Sequence, residues 1–339
     1  MTDPMRRDFL KATAASVALA GIGDAILAAQ EDSPDGLPKR PLGKTGEKVS
    51  IICLGGWHVG AIEEKLAIEL MHEAIDEGLT FFDNAWDYHD GGSEEVMGKA
   101  LAAAARRDKV FLMTKNCARD RKGSMQHLED SLRRLKTDRI DLWQFHEINY
   151  DNDPAWIFEK GAMAAALEAQ KAGKVRYIGF TGHKHPDIHL KMLAQPFAWD
   201  ACQMPINIMD AHYRSFQKRV VPECNRRQIG VLGMKSFAGG FPKGRLPDKA
   251  GVSAVDCRRY ALSLPISSLV CGITSKADLK QDLGVARNFK PMPKDQMAEL
   301  LAQTAAEGSD GRHELFKSTQ FFDGPYHRLQ HGFELEKTS

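Results

Sequence analysis

The sequence has few of the features that mark the common classes of metal, redox or nucleic-acid-binding protein. Its six cysteines are scattered and form no C-x-x-C pair, which argues against an iron–sulfur cluster, a zinc ribbon or a thioredoxin-like site. The formal net charge is +1, so charge gives no reason to expect binding to nucleic acid or to an anionic membrane. There is no P-loop, and the nearest match to a glycine-rich dinucleotide fingerprint, Gly21-Ile22-Gly23, lacks its third glycine.

The first thirty residues have the pattern of a targeting segment. The pair Arg6-Arg7 precedes an apolar, alanine-rich run from Ala12 to Ala29, which predicts a twin-arginine signal over residues 1–30. We therefore expect the twin-arginine translocation machinery to be a partner and the mature protein to be periplasmic or otherwise exported. A cytoplasmic protein with an amphipathic N-terminus is the alternative. No other stretch is apolar and long enough to span a membrane.

Strand-like and helix-like segments alternate after a linker at residues 31–39 and a short β-hairpin with Gly46 near its turn. Eight apolar runs predict strands, at Ile51–Leu54, Thr80–Asp83, Val110–Lys115, Ile140–His146, Val175–Thr181, Ala201–Met204, Gly230–Lys235 and Leu269–Gly272. Eight segments with helical periodicity follow them, at Glu63–Glu77, Ser93–Ala105, Ser124–Leu135, Pro154–Ala172, Pro186–Leu193, Phe216–Arg227, Ser253–Leu262 and Ser275–Asn288.

Eight strand–helix units over about 240 residues predict a (β/α)8 TIM barrel, which we place at residues 40–309. The alternative is an open doubly wound sheet, which usually has fewer strands. Residues 310–339 show no clear period, and we expect them to form a C-terminal extension that wraps the mouth of the barrel.

Ionisable side chains end three successive predicted strands. Asp83 ends the second strand and Tyr88 follows five residues later, while Lys115 ends the third strand and His146 the fourth. Because active sites of such barrels lie at the carboxyl ends of the strands, we expect these four side chains to converge. A phenol titrates at about pH 10 in water, and an ammonium held beside it by a carboxylate would lower its pKa. The pattern therefore predicts a proton-relay site.

In order, spacing and strand position, these four residues resemble the catalytic tetrad of the aldo-keto reductase superfamily. The resemblance covers nearly the whole body of the chain, and the residues around Gly230 to Lys235 are more similar to a bacterial oxidoreductase branch than to the aldose reductase branch. It implies an oxidoreductase that transfers a hydride between NADP, or NAD, and an aldehyde or ketone. Tyr88 would then be the general acid, and His146 would orient the carbonyl oxygen.

The resemblance also implies where the nicotinamide end of the cofactor binds. Thr181 and Gln203 would hydrogen-bond the carboxamide, but Gly182 stands where the family usually has asparagine, and His183 would have to supply that contact. Met234 stands where many members stack an aromatic ring on the nicotinamide, and a thioether can still cover the ring face.

For the phosphates and the adenosine, the resemblance implies a second group of positions. Lys235 would reach the pyrophosphate, and Asp282 would hold the adenine amine. The adenosine-phosphate loop would consist of Gly272, Thr274, Ser275 and Lys276. Asp278 would oppose a 2′-phosphate whereas Lys276 would favour it, so these two charges do not decide between NAD and NADP. The habit of the family favours NADP, with NAD as the alternative.

Tryptophans on the first two loops and histidines after the fifth predicted strand are further candidates for function. Trp57 and Trp86 lie on the first two loops and would form an apolar wall for a small-molecule carbonyl substrate. A metal-dependent barrel hydrolase, using His183, His185 and His189, is a competing hypothesis, but spacings of two and four on a loop do not define a ligand face, so no metal is predicted. A nicotinamide-binding sensor without multiple turnover is the non-enzymatic alternative.

Overall fold

The computed structural model of the protein describes residues 26–27, 29–31, 36–239, 246 and 250–334. The predicted twin-arginine segment therefore lies almost entirely outside the described residues, and so does part of the predicted linker. Among the helices that are described, none combines the length and the apolar character that a membrane crossing requires.

Eight parallel strands close into a barrel, which confirms the fold predicted from the alternation of strands and helices and rules out the open doubly wound sheet. Strand β10 pairs with both β3 and β9, so the sheet has no free edge. The barrel strands are β3 (Ile52–Gly55), β4 (Phe81–Asp83), β5 (Phe111–Asn116), β6 (Ile140–Phe145), β7 (Val175–Thr181), β8 (Ala201–Pro205), β9 (Gly230–Met234) and β10 (Ser268–Cys271).

The helices surround the barrel or cover its ends. In chain order they are α1 (Gly56–Val59), α2 (Glu64–Asp76), α3 (Gly92–Ala102), α4 (Arg121–Arg134), α5 (Asp153–Glu159), α6 (Ala162–Lys171), α7 (Pro186–Leu193), α8 (Phe216–Arg219), α9 (Val221–Arg226), α10 (Ala254–Leu262), α11 (Lys276–Arg287), α12 (Lys294–Gly308), α13 (Leu315–Ser318) and α14 (Pro325–Gln330). Short 3₁₀ segments occupy Tyr88–Gly91, Ala103–Lys109 and Met209–Ala211.

Two of the predicted helices are each divided in the structure. The one predicted at Pro154–Ala172 is interrupted at Gly161, whose φ of +94° is left-handed and favours glycine. The one predicted at Phe216–Arg227 divides into α8 and α9, and Pro222 stands in the first turn of α9, where its missing N–H costs no helical hydrogen bond. Helix α12 has no counterpart among the predicted helices.

A β-hairpin closes the N-terminal end of the barrel. Its strands, β1 (Lys39–Pro41) and β2 (Lys48–Ser50), pair antiparallel. Leu42 and Val49 of this hairpin are buried and pack against side chains inside the barrel, among them Phe81. Because this end is plugged by apolar residues, the opposite end is the one that remains to hold a site.

The C-terminal segment packs across that opposite end. The rings of Phe316 and Phe322 contact His183, and Asn149 donates a hydrogen bond to the backbone oxygen of Phe322 at 3.2 Å. Lys184 pairs with Asp323 at 2.5 Å. The tail predicted at residues 310–339 thus includes two short helices, and its described part lies on the mouth of the barrel.

Two buried polar clusters hold the tail in place. In the first, Lys317 donates to Asp210 at 2.6 Å and to Glu314 at 2.8 Å, and all three side chains are fully buried. In the second, His331 Nδ1 donates to Asp153 at 2.9 Å, while Arg119 donates to the other ring nitrogen at 3.2 Å. Because buried charges are tolerated only when they are paired, the tail and the barrel are expected to be stable as one unit.

The second cluster makes stability depend on pH. Burial lowers the pKa of His331 from 6.5 to about 4, helped by Arg119 and opposed in part by Asp153. Between these two pH values the unfolded chain binds more protons than the native protein, so stability falls as the pH drops through this window. Between pH 7 and pH 4.5 the free energy of unfolding of the parent should fall by about 2 kcal/mol more than that of His331→Gln, because glutamine does not titrate. Urea unfolding at the two pH values measures this difference. Parallel stability–pH curves for the two proteins would contradict this assignment.

Candidate active site

Successive side chains of each strand point alternately into the barrel and towards the helices, so every second residue enters the barrel. Phe81 lies inside the barrel and Phe82 in the layer between strands and helices, so Asp83 points inside again. In β5, Met113 lies inside, and Lys115, two residues later, does too. The same rule sends further polar or sulfur-containing side chains inward near the mouth: Gln144, His146, Thr181, Gln203 and Met234.

Asp83, Lys115 and Tyr88 form one connected group. The Lys115 ammonium donates to Asp83 Oδ1 at 2.5 Å, to the backbone oxygen of Asn84 at 2.6 Å and to Tyr88 Oη at 3.3 Å. Lys115 is fully buried and Asp83 is 3% exposed, so the ion pair is shielded from water. Because Lys115 donates to the phenol oxygen, the phenol proton is free to point towards another acceptor.

The predicted lowering of the Tyr88 pKa is wrong for the protein as described. Burial raises the pKa of Tyr88 well above 10.0, and the nearby carboxylates Asp83, Asp87 and Glu147 raise it further. A single ammonium does not outweigh this desolvation and three negative charges. The prediction rested on Lys115 and its partner Asp83, because Glu147 and Asp87 gave no separate signal in the sequence.

His146 is held by a carboxylate that sequence analysis missed. Its Nδ1 lies 3.0 Å from Asp87 Oδ1 and 3.5 Å from Cys117 Sγ, and its ring packs edge-on against Tyr88 with centroids 5.5 Å apart. Burial opposes ionisation of Asp87, but electrostatic attraction to His146 and hydrogen bonds from His146 and Cys117 hold the pKa of Asp87 below its ordinary value. Asp87 directly precedes Tyr88, and this adjacency is the only signal that could have identified it.

Glu147 is a second carboxylate that sequence analysis missed. It has a φ of +50° and is 8% exposed, and its Oε2 lies 3.2 Å from Nε2 of His327 in the tail. Burial raises the pKa of Glu147 to about 8, with a further contribution from Asp87. A non-glycine residue held at positive φ beside ionisable groups is a common feature of functional sites. Glu147 follows His146 in sequence, so its backbone turns just where β6 ends.

The two tryptophans predicted to line the substrate pocket have different positions. Trp57 is 48% exposed and packs against Tyr88 with ring centroids 5.6 Å apart, so it borders the open mouth. The ring of Trp86 stacks on His127 of α4 with centroids 3.6 Å apart, and its Nε1 donates to Asp130 of the same helix at 3.3 Å. Its role as a wall of the substrate pocket stays a prediction. This indole fastens the loop after β4 to the helix layer.

The residues predicted to hold the nicotinamide amide lie on adjacent strand ends. Thr181 pairs with Gln203 across β7 and β8, and both side chains are buried. A side chain at Gly182 would meet Ile148 and His189, since a Cβ there would lie 2.8 and 2.9 Å from their atoms. The glycine is therefore required by packing. His183, the predicted substitute for the missing asparagine, is 3% exposed.

Met234 and Lys235 end β9 at the same mouth. Gln203 Nε2 lies 3.8 Å from Met234 Sδ, which joins the thioether to the predicted amide-binding group. The Lys235 ammonium lies 5.1 Å from the ring centroids of both Phe316 and Phe322. The aromatic side chains of the tail therefore cover the predicted pyrophosphate-binding lysine.

The predicted adenosine-phosphate loop precedes α11. Ser275 caps that helix by accepting from the backbone N–H of Asp278, and Asp278 in turn accepts from Thr274 Oγ1 at 2.8 Å. The ring of His58 covers Gly272, because a Cβ there would lie 2.4 Å from its Nε2. The helix N-terminus at this loop is thus capped, and the hydroxyl of Thr274 already donates its hydrogen bond to Asp278.

Two of the predicted adenosine contacts are not supported by the structure. Asp282 is 1% exposed, and both of its carboxylate oxygens accept from Arg258 at 3.0 Å, so the carboxylate is held in a buried ion pair. Lys276 points towards α2, with its ammonium 3.8 and 3.9 Å from Glu69 and Glu73. Sequence spacing could not show that Arg258 would take Asp282 as its partner.

The histidines of the competing hydrolase hypothesis do not converge on a common point. His185 caps α7 through its Nδ1, and His189 Nε2 lies 3.3 Å from the backbone oxygen of Gln203. Within the described ranges, the only group of three potential metal ligands comprises Asp87, Cys117 and His146. A hydrolytic centre after β7 therefore has no support in this geometry.

Comparison with known proteins gives consistent results. Residues 51–257 match the model of the Aldo/keto reductase family. Aldo-keto reductase YhdN of Bacillus subtilis is 30% identical over 231 residues, covering 64% of this chain and 67% of that protein. Uncharacterized oxidoreductase YrpG of the same organism is 35% identical over 241 residues, covering 62% and 70%. The holo form of aldo-keto reductase AKR11C1 from Bacillus halodurans has a similar fold, with a TM-score of 0.65 at 21% identity, covering 78% and 95%.

Proposed function

Because the chain belongs to the aldo/keto reductase family, whose members generally reduce carbonyl groups with NAD(P)H, we propose that it reduces an aldehyde or ketone with Tyr88 as the general acid. The observation that supports this most strongly is the contact of Tyr88 Oη with the buried Lys115–Asp83 ion pair at the mouth of the barrel. A proton donor fixed beside a shielded ammonium is suited to protonate an oxygen on which negative charge develops.

The residues around the mouth fit a nicotinamide cofactor. Two buried side-chain atoms there, Gln144 Oε1 and His183 Nε2, have no hydrogen-bond partner within the described part of the chain. Buried polar atoms are nearly always paired, so these two are suitable partners for the carboxamide of a ligand. Gln203 and Thr181 lie beside them on β8 and β7, and Lys235 offers a cation for phosphate. NAD(P)H, when bound, supplies the hydride.

The chain's own residues supply the proton and its control. Tyr88 holds the proton at Oη, and Lys115 stabilises the phenolate that remains once this proton has left. Asp83 keeps the ammonium in position, and burial of the pair excludes water. Burial and the nearby carboxylates raise the pKa of Tyr88, so the phenol is protonated at neutral pH but is a weaker acid. The adjacent Lys115 ammonium is then the group that favours release of the proton.

The hydrogen bond between His146 and Asp87 determines which nitrogen of the imidazole ring carries a proton. An ionised carboxylate can only accept, so Nδ1 must carry the proton that it donates to Asp87. Burial lowers the pKa of His146 despite the nearby carboxylate, so the ring is neutral and Nε2 is an acceptor. In this state Nε2 accepts a hydrogen bond from a hydroxyl group, such as that of an alcohol, whereas a hydrogen bond to a carbonyl oxygen requires the proton on Nε2.

A turnover assay tests the proposed function. The purified protein, incubated with NADPH or NADH and a panel of aldehydes, ketones and quinones, should consume the reduced cofactor at a rate that saturates with the carbonyl compound. We expect NADPH to be preferred, in keeping with the sequence prediction. Tight cofactor binding without turnover on any member of the panel would contradict the proposal and would favour the sensor alternative.

A further inference from the structure

Asp87, Cys117 and His146 place three different metal-ligating atoms close together at the mouth. They come from the loop after β4 and from the residues that follow β5 and β6. His146 Nδ1 lies 3.0 Å from Asp87 Oδ1 and 3.5 Å from Cys117 Sγ. All three ligand atoms lie within 4.8 Å of one another. We propose that Asp87, Cys117 and His146 bind one Zn²⁺ ion.

The distances from His146 Nδ1 to the other two ligand atoms are close to those in a tetrahedral centre. With zinc–ligand distances of about 2.0–2.3 Å, tetrahedral angles separate the ligand atoms by about 3.3–3.6 Å. The distance between His146 Nδ1 and Cys117 Sγ is already in this range, and that between His146 Nδ1 and Asp87 Oδ1 differs from it by only a few tenths of an ångström. A carboxylate oxygen of Asp87 and Cys117 Sγ lie within 4.8 Å of each other. Three protein ligands leave the fourth position open for water.

Chemistry and charge favour zinc over harder cations. A thiolate, an imidazole and a carboxylate form a borderline-soft donor set, which is unsuited to Mg²⁺ or Ca²⁺. The side chains of His146 and Asp87 are 5% and 9% exposed, and Cys117 is 1% exposed. One thiolate and one carboxylate neutralise a dication, so the complex carries no net charge in this buried position. Binding displaces the thiol proton of Cys117 to solvent, while the ring proton of His146 moves from Nδ1 to Nε2.

One arginine holds the backbone of two ligand residues. Arg119 donates to the backbone oxygen of Cys117 at 3.0 Å and to that of His146 at 2.7 Å. Its guanidinium is buried and is fixed by Asp153, which accepts from its Nε at 2.9 Å. The two strand ends therefore keep their separation without a metal, and outer groups that fix ligands in this way strengthen metal binding.

The proposed metal would also change the hydrogen bonding of His146. With Nδ1 bound to the ion, the ring proton lies on Nε2, which then donates rather than accepts. This is the form that a carbonyl oxygen requires. The metal site itself does not rest on the proposed reductase function, because its ligands and their spacing are independent of any cofactor or substrate.

Cobalt substitution tests the site directly. Untagged protein, stripped of metal and free of nicotinamide, is titrated with Co²⁺ and then with Zn²⁺. We expect about one ion per chain, a near-ultraviolet thiolate-to-cobalt band, visible bands of tetrahedral intensity, and their loss when Zn²⁺ is added. Calorimetry in buffers of different ionisation enthalpy should show about one proton released per Zn²⁺.

Variants assign the ligands. Cys117→Ser should lose the thiolate-to-cobalt band, and Asp87→Asn should keep that band but bind at least about tenfold more weakly. Cys257→Ser is the matched control, because Cys257 is equally buried but lies in α10, away from the cluster. Circular dichroism checks that each variant is folded. The proposal is overturned if the parent shows no stoichiometric binding, or if the thiolate band survives in Cys117→Ser. Stoichiometric metal binding by a protein that turns over no carbonyl compound would support the metal site and contradict only the proposed reductase function.

Discussion

Tyr88→Phe is expected to reduce carbonyl turnover on the order of 10³-fold while the protein stays folded, because it removes the proton donor and little else. The phenylalanine ring can retain the edge contacts of Tyr88 with Trp57 and His146, whose centroids lie 5.6 and 5.5 Å away. The hydroxyl accepts one hydrogen bond from Lys115 at 3.3 Å, and that ammonium keeps its two shorter bonds to Asp83 and Asn84.

The measurement is kcat with saturating NADPH, together with the cofactor dissociation constant by fluorescence. The loss should fall on kcat, since the phenol is not among the groups proposed to hold the cofactor. Trp86→Phe is a suitable control, because Trp86 packs on α4 and is expected to keep most of the parent's turnover. Near-parental kcat in Tyr88→Phe would remove Tyr88 from the role of general acid.

Lys115→Met is expected to abolish measurable turnover and also to destabilise the protein by about 3–5 kcal/mol. Lys115 is fully buried, and its removal leaves the Asp83 carboxylate without its 2.5 Å partner in the barrel interior. The backbone oxygen of Asn84 loses a 2.6 Å bond as well. A buried carboxylate without a cation costs far more than the loss of an exposed ion pair.

The double variant Lys115→Met/Asp83→Asn separates the two effects. It removes the unpaired charge, so urea unfolding should show that much of the lost stability returns, whereas turnover should not. Recovery of turnover in the double variant would mean that the ammonium acts only by neutralising Asp83. Equal instability of the single and double variants would contradict the assignment of the stability loss to a buried, unpaired charge.

Much of the fold was readable because hydrophobic periodicity and strand length are local properties. The strand predicted at Val175–Thr181 has the bounds seen in the structure, and the others differ by a residue or two. The divided helices were missed because local breaks at Gly161 and Pro222 do not disturb an apolar period. The contacts of Trp86 with His127 and of Asp282 with Arg258 were not predicted, for a different reason. Each partner, on α4 and α10, lies far away in the sequence.

The order of Asp83, Tyr88, Lys115 and His146 is a property of the sequence alone. So is the parity that turns Asp83, Lys115 and His146 into the barrel, because side chains alternate along every strand. The twin-arginine signal also rests on sequence alone and stays a prediction. Only the tertiary structure decided the electrostatics of the site. It brought Asp87 and Cys117 to His146 and Glu147 near Tyr88, and it placed the tail over the mouth, since desolvation and charge pairing depend on distances between segments that no local pattern encodes.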